Sequence, residues 1–340
     1  MSMRKLLLFV LPFLLLTGCS NSDAPDVSGI DVKLETRRFE RDFFRVDTNQ
    51  LIPSFQELNN KYPEFLQDFI TSILGLPGQI DTSIITQNGI KSFLSTYKPI
   101  YDSAEKKFGD FDKSEKEVKQ GLQYVKYYFP GYHTPEKIIT FIGPVDGFGN
   151  VLASEGLAIG LHSYMGKDFF LYNTEMGQTT YPSYISRRFS PEYIPVNSMK
   201  NIINDIYPPT QGSRGLVEGM VERGKELYVL DKLLPETADS LKIGYTANQL
   251  QGCFKNEGLI WNFFLTNNLL NSIDADVHKY YLEEGPNTPE FGEGAPGSIG
   301  VFVGWQIVNK WMEKNPTIKL PQLLQTDARK IFEESKYRPK

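Results

Sequence analysis

The side chains that most often carry chemistry are few in this sequence and poorly spaced for it. The three histidines, His133, His162 and His278, form no HExxH, HxxxH or HxH arrangement, the spacings that set two imidazoles on one face to hold zinc. There is no CxxC, no GxSxG elbow and no EF-hand loop. Gly160 to Lys167 (GLHSYMGK) has the outline of a phosphate-binding loop but one residue too many. Asp168 follows where a Ser or Thr hydroxyl must hold magnesium, and an acid there would repel phosphate. His162 falls in a stretch with strand character, where it reads as exposed or hydrogen-bonded without a chemical role. No cofactor is expected.

Three clusters remain. Met199, Ile202, Ile203 and Ile206 mark the apolar face of a helix, and Lys200 and Asn204 stack at i and i+4 on another. A second helix, from about Gly215 to Leu230, puts Glu218, Glu222 and Glu226 in one stripe with Arg223 and Lys225 between them, as in a salt-bridged face. Gly219 and Gly224 inside that helix cost roughly 1 kcal/mol each relative to Ala, which implies close packing there. Near the end, Gly297, Gly300 and Gly304 recur at three and four. They suit a close backbone approach better than an anion site at a helix N-terminus.

One residue has a well-defined covalent chemistry. Arg4 and Lys5 precede an uncharged run, Leu6 to Leu16 (LLLFVLPFLLL), and then Thr17-Gly18-Cys19. As a helix the run spans only about 16 Å, against about 30 Å for a bilayer core, so it is an export signal and not a span. The small pair before the thiol looks like a bacterial lipobox, with residues 1–18 removed and Cys19 carrying the lipid. Two or more acyl chains make a stable membrane anchor. Residues 19–29 read as a lipidated tether, since Ser20 to Gly29 (SNSDAPDVSG) is small, acidic and Pro-containing. The chain has 36 Lys and Arg against 41 Asp and Glu, and losing Arg4 and Lys5 with the signal takes the net charge from −5 to −7. That balance argues against nucleic acid as a partner. Cys253 is then the only remaining thiol, so the fold rests on its core without an intramolecular disulfide.

The elements that must position these residues read as helices around one small sheet. Val32 to Phe39 alternates like a strand. From Asp47 to Pro130 the pattern is helical, with Asp112 and Glu115 spaced as a capping box. Lys137 to Val145 and Val151 to Met165 read as strands flanking a hairpin at Asp146 to Asn150. Thr246 with Gln249 opens a helix expected to run to about Leu270, another spans about Ser298 to Asn315, and a last one begins at Pro321. The expected class is α+β, mostly helical with a small antiparallel sheet, in a single domain over residues 30–340.

Several strings make a resemblance specific: Gly224 to Asp231 (GKELYVLD), Lys242 to Thr246 (KIGYT), Trp305 to Val308 (WQIV), Met312 to Asn315 (MEKN) and Pro182 to Tyr207. With them the mature chain resembles the GldB family of gliding-motility lipoproteins of Bacteroidetes. The resemblance implies a cell-envelope lipoprotein, its soluble domain periplasmic, with other gliding or type IX secretion proteins as partners. That family is similar to predicted zincin-type metallopeptidases, in which an edge strand precedes an HExxH helix and a later Glu-Gly supplies the third ligand. The resemblance places the edge strand at Leu157 to Ser163, the metal helix at Lys200 to Asn204 and the Glu-Gly at Glu218-Gly219. Lys200, Asn201 and Asn204 then stand where both histidines and the catalytic carboxylate would be, so a degenerate, non-enzymatic zincin-like fold is expected. The alternatives are a hydrolase with an unrecognised site and a glycan- or peptidoglycan-binding lipoprotein. If Lys200 replaced the metal, its ammonium would pair with Glu218; the alternative is that Lys200 points into water.

Cys19→Ser is expected to abolish acylation and processing. Labelled fatty acid incorporated equally into variant and wild type would refute the lipoprotein reading.

Overall fold

A run of apolar residues without alternation, Ile138-Ile139-Thr140-Phe141-Ile142, marks a strand covered on both faces, and it lies in the interior of the sheet. The computed structural model describes residues 24–339 apart from 79, 148 and 210–213; the export signal and Cys19 lie outside the described residues. Four strands, β1 (Glu35–Arg38), β2 (Lys137–Phe141), β3 (Asn150–Ala153) and β4 (Gly156–Gly160), form one sheet in the order β1-β2-β4-β3.

The sheet is mixed, not antiparallel as expected. β2 runs parallel to both β1 and β4, and β3 alone is antiparallel, paired with β4. The hairpin turn is at Ser154-Glu155, between β3 and β4, and not at residues 146–150. Pro144 has no N–H to give a ladder, and β2 ends before it at Phe141. The chain then crosses to the far side of β4, leaving Gly156–Gly160 as an interior strand. The edges are therefore β1 and β3, of which β3 is the antiparallel one, and Leu157 to Ser163 is not an edge strand. Val32 to Phe39 yields a strand only over Glu35–Arg38; Phe39 opens a short helix and fits into a buried aromatic cluster. There its ring meets Phe65 and Phe69 edge-on at centroid distances of 4.9 and 4.8 Å, and Phe69 meets Phe141 at 6.1 Å.

Helices α1 (Ile84–Lys107) and α2 (Asp112–Tyr128) fill the connection from β1 to β2. Asp112 and Glu115 form no capping box. Asp112 lies inside the first turn, its N–H bonded to the Asp110 carboxylate at 2.8 Å, and the cap position is Phe111. After the sheet come α3 (Tyr193–Ile206) and α4 (Leu216–Leu233). The predicted apolar face of α3 is the one buried: Met199, Ile202 and Ile203 are all 2% exposed or less. Met199 lies against Gly121 of α2, where any Cβ would strike its sulfur.

The helix expected from Thr246 to Leu270 is two, α5 (Ala247–Lys255) and α6 (Glu257–Thr266), because Asn256 leaves helical geometry between them. The Thr246–Gln249 capping box is present, with the Gln249 N–H donating to the Thr246 hydroxyl at 3.2 Å. Beyond α7 (Ala275–Leu282) runs α8 (Ile299–Lys314). Pro321 is in the first turn of a short helix, Leu320–Gln325, and α9 (Ala328–Ser335) follows.

The main seam of the helical half is α4 against α8. A Cβ at Gly224 would overlap the Gly304 carbonyl group, and one at Gly304 would overlap the Met220 carbonyl oxygen. The glycine series thus serves close backbone approach, as its spacing suggested. Gly304→Ala should destabilise the protein by about 1–3 kcal/mol through overpacking, although in an open helix Ala would gain about 1 kcal/mol over Gly. Urea denaturation checks this, and a variant as stable as wild type would contradict the close crossing.

Candidate functional site

Helices α3 and α4 line a cleft of about 450 Å³, its wall completed by residues between 181 and 189 and by the two ends of the loop from Glu284 to Ser298. Its walls are fixed by side-chain bonds. Asn197 on α3 donates to the Tyr164 hydroxyl at 2.9 Å, which donates to the Asn150 side chain on β3 at 2.8 Å. Tyr245 donates to the Ser298 carbonyl at 3.0 Å, tying the loop down.

The cleft is rich in charge. Arg188 grips Glu284 with both guanidinium arms, one at 2.5 Å to Oε1 and the other to Oε2. Burial pushes the Glu284 carboxyl up, but the Arg188 hydrogen bonds and charge outweigh it, and its pKa lies below the ordinary value. On α4, Arg223 donates to Glu226 at 2.8 Å. Burial nevertheless holds Glu226 above its ordinary pKa, despite Arg223 and Lys200. Lys242, also in the lining, is held by Asp231 and Asp239 at 2.8 Å each.

Two cations are left over. Arg187 makes one hydrogen bond, to the Gly244 carbonyl at 3.1 Å, and no ion pair among the described residues. Lys200 has neither a hydrogen bond nor an ion pair among the described residues. Burial, then the charges of Arg188 and Arg223, pull its pKa down to about 8, and the more modest pull of Glu284 and Glu226 does not restore it. Leaving Lys242 with its aspartates, the cleft holds Arg187, Arg188, Lys200 and Arg223 against Glu226 and Glu284, in a chain that is acidic overall.

The four positions singled out in the sequence separate here. Lys200 and Asn204 line the cleft; Asn201 and Glu218 do not. Glu218 accepts from the Gly215 N–H at the start of its own helix, with Arg329 at 3.9 Å. Its stripe neighbours are paired as a salt-bridged face. Glu222 meets Arg214 at 3.0 Å and the buried Lys225 at 3.2 Å. Lys200 and Glu218 form no ion pair; Glu226, two turns further along α4, lines the cleft with Lys200 but is bonded to Arg223. A lysine, two amides and a capping carboxylate do not make a zinc donor set, and the described residues contain no group of three His, Cys, Asp or Glu that could hold a metal. His162 is buried, its Nδ1 accepting from the Gly143 N–H at 3.0 Å, and burial alone lowers its pKa to about 4. His278 contacts the Ser272 carbonyl at 2.8 Å. Sequence reasoning missed Arg187, Arg188 and Glu284. An arginine doublet in an acidic chain was the available signal for the first two.

The fold and cleft define an α+β domain with a cation-rich cleft, and no described helix is long and apolar enough to cross a membrane. Residues 20–339 match the family described as gliding motility protein GldB, and the chain belongs to that family. No curated protein and no solved structure matches it. The family ties the chain to gliding motility as a lipoprotein.

Lys200 also has a cost that can be measured. The folded state holds its ammonium at a disadvantage below about pH 8, whereas the unfolded side chain titrates near 10.5. Between those values the unfolded chain binds more protons, so this group makes stability rise with pH. Lys200→Met should therefore be more stable than wild type at pH 7 by about 1–3 kcal/mol, with the advantage gone by about pH 10.5. Urea titrations at three pH values check this; no gain at pH 7 would mean that the cleft accommodates the charge without cost.

Proposed function

We propose that this protein acts in gliding as a non-catalytic lipoprotein, anchored through Cys19 with its soluble domain in the periplasm. It works through contacts with other proteins of the gliding and type IX secretion machinery. The observation that carries the non-catalytic reading is the composition of the metal-helix positions. Lys200, Asn201 and Asn204 offer no imidazole, and Glu218 is committed to the first turn of α4. Water activation by a zincin needs two histidines and a free carboxylate beside them.

A degenerate zincin-type origin is supported by the local order of elements. An antiparallel edge strand, β3, packs against the helix that bears Lys200, and the next helix bears Glu218. The zinc ion itself has no place in this reading, and no reaction step is assigned to it.

The mature domain, purified after addition of zinc and desalting, should contain no stoichiometric zinc and show no zinc-dependent peptide hydrolysis. In a gliding host deleted for its own copy, Cys19→Ser should fail to restore spreading, whereas Glu218→Gln should restore it. One zinc per chain that is lost in Glu218→Gln, together with loss of spreading in that variant, would overturn the proposal.

A further inference from the structure

The cleft is lined by several donors that no neighbouring described residue accepts from. Besides Lys200 and Arg187, three lining tyrosines, Tyr181, Tyr184 and Tyr193, have hydroxyls with no hydrogen bond to the described residues. The Asn204 side chain is exposed and equally unpaired among the described residues. These donors reach the open cleft without being used by their neighbours, so a ligand entering it would find them free to bond. A volume of about 450 Å³ is within the range of roughly 300–1,000 Å³ typical of small-ligand pockets.

The geometry points to an anionic saccharide as the ligand of this cleft: a sugar ring bearing a carboxylate or phosphate, its anion on the uncommitted cations Lys200 and Arg187 of the lining and its hydroxyls on the tyrosines. The charge balance selects an anion, because two cations remain after Arg188 and Arg223 are matched with Glu284 and Glu226. The planar guanidinium of Arg187 keeps free N–H groups for an oxyanion, which it can engage through a fork, and Lys200 adds a compact point charge. The tyrosines select the ring. Each offers an apolar face and a hydroxyl tip, a combination that suits a flat polyhydroxylated body. A peptide of the same charge would look for a backbone ladder along the wall. Here the wall is made mainly of helix side chains, and the nearby edge strand contributes only its approach, through Gly147 and Gly149. The inference rests on the reading of the cleft as a binding site without chemistry, and it adds the class of ligand.

The experiment is calorimetric titration of the mature domain with trigalacturonate, galactose 6-phosphate, neutral galactotriose and a tri-glutamate peptide. Binding of either anionic sugar, at least tenfold tighter than the neutral trisaccharide and the peptide, is expected, and it should weaken in high salt. A uronate preference and a phosphate preference both support the inference and separate the two sources of charge. Lys200→Gln should weaken anionic-sugar binding by roughly tenfold or more, with Lys200→Arg recovering most of it. Tyr184→Phe, which removes only a hydroxyl, should weaken it severalfold and leave the melting temperature unchanged. Equal binding of neutral and anionic sugars, preference for the peptide, no binding to any probe, or indifference to Lys200→Gln would each overturn the inference. None of those results touches the non-catalytic reading, which fails only on zinc loading and hydrolysis.

Discussion

The contact on which the rest of the helical half depends is the crossing of α4 over α8 at Gly224 and Gly304. Backbone meets backbone there with no side chain between, and this fixes how close the two helices lie and which faces of α4 remain free. One such face turns Arg223 and Glu226 into the cleft. Another carries the buried Lys225, whose ammonium donates to the Leu324 and Thr326 carbonyls at 3.2 and 2.6 Å and so holds the segment that leads into α9. Further along, Asp231 accepts from the Trp305 indole of α8 at 2.7 Å while it also holds Lys242. A single helix thus joins cleft, core and C-terminal segment, and small shifts at its glycines would be felt in all three.

The charges follow a consistent division of labour. Where a carboxylate has a structural task it is matched on the spot: Glu218 with the first turn of α4, Glu222 with Arg214 and Lys225, Glu284 with Arg188. Cations are left unmatched in the cleft, although the chain as a whole is acidic. Lys200 is held there at a cost to the folded state, and side chains that lower stability where they stand are characteristic of sites kept for a use other than folding.

Periodicity made some of this legible in the sequence. Met199, Ile202 and Ile203 follow the 3.6-residue repeat and are the buried face of α3, and Thr246 with Gln249 caps α5 because both partners of the box lie within one turn. Gly300 and Gly304 announced a close approach, without saying to what. Strand order was not legible: Ile138 to Ile142 has no alternation, and the absence of alternation was itself the sign of an interior strand with parallel neighbours. The cleft was legible only in fragments. Arg188 and Glu284 are 96 residues apart, and no local spacing links either to Lys200. Glu218 drew attention by its spacing, yet three residues upstream the Gly215 N–H takes its carboxylate, a local competition that a pattern of acids cannot reveal.

Val27 is already buried, at 4% exposure, and Ile30 closes a turn back onto its carbonyl. The tether read from the sequence as ending at Gly29 is therefore docked on the domain by Val27. In the proposed anchoring through Cys19, eight residue steps lead from that cysteine to Val27, a leash of at most about 28 Å when fully stretched. A chain of this size has a radius of gyration of roughly 20 Å. So anchored, the body would stay within about half its own width of the bilayer, and any molecule that engages it would do so in a thin layer beside the lipid headgroups.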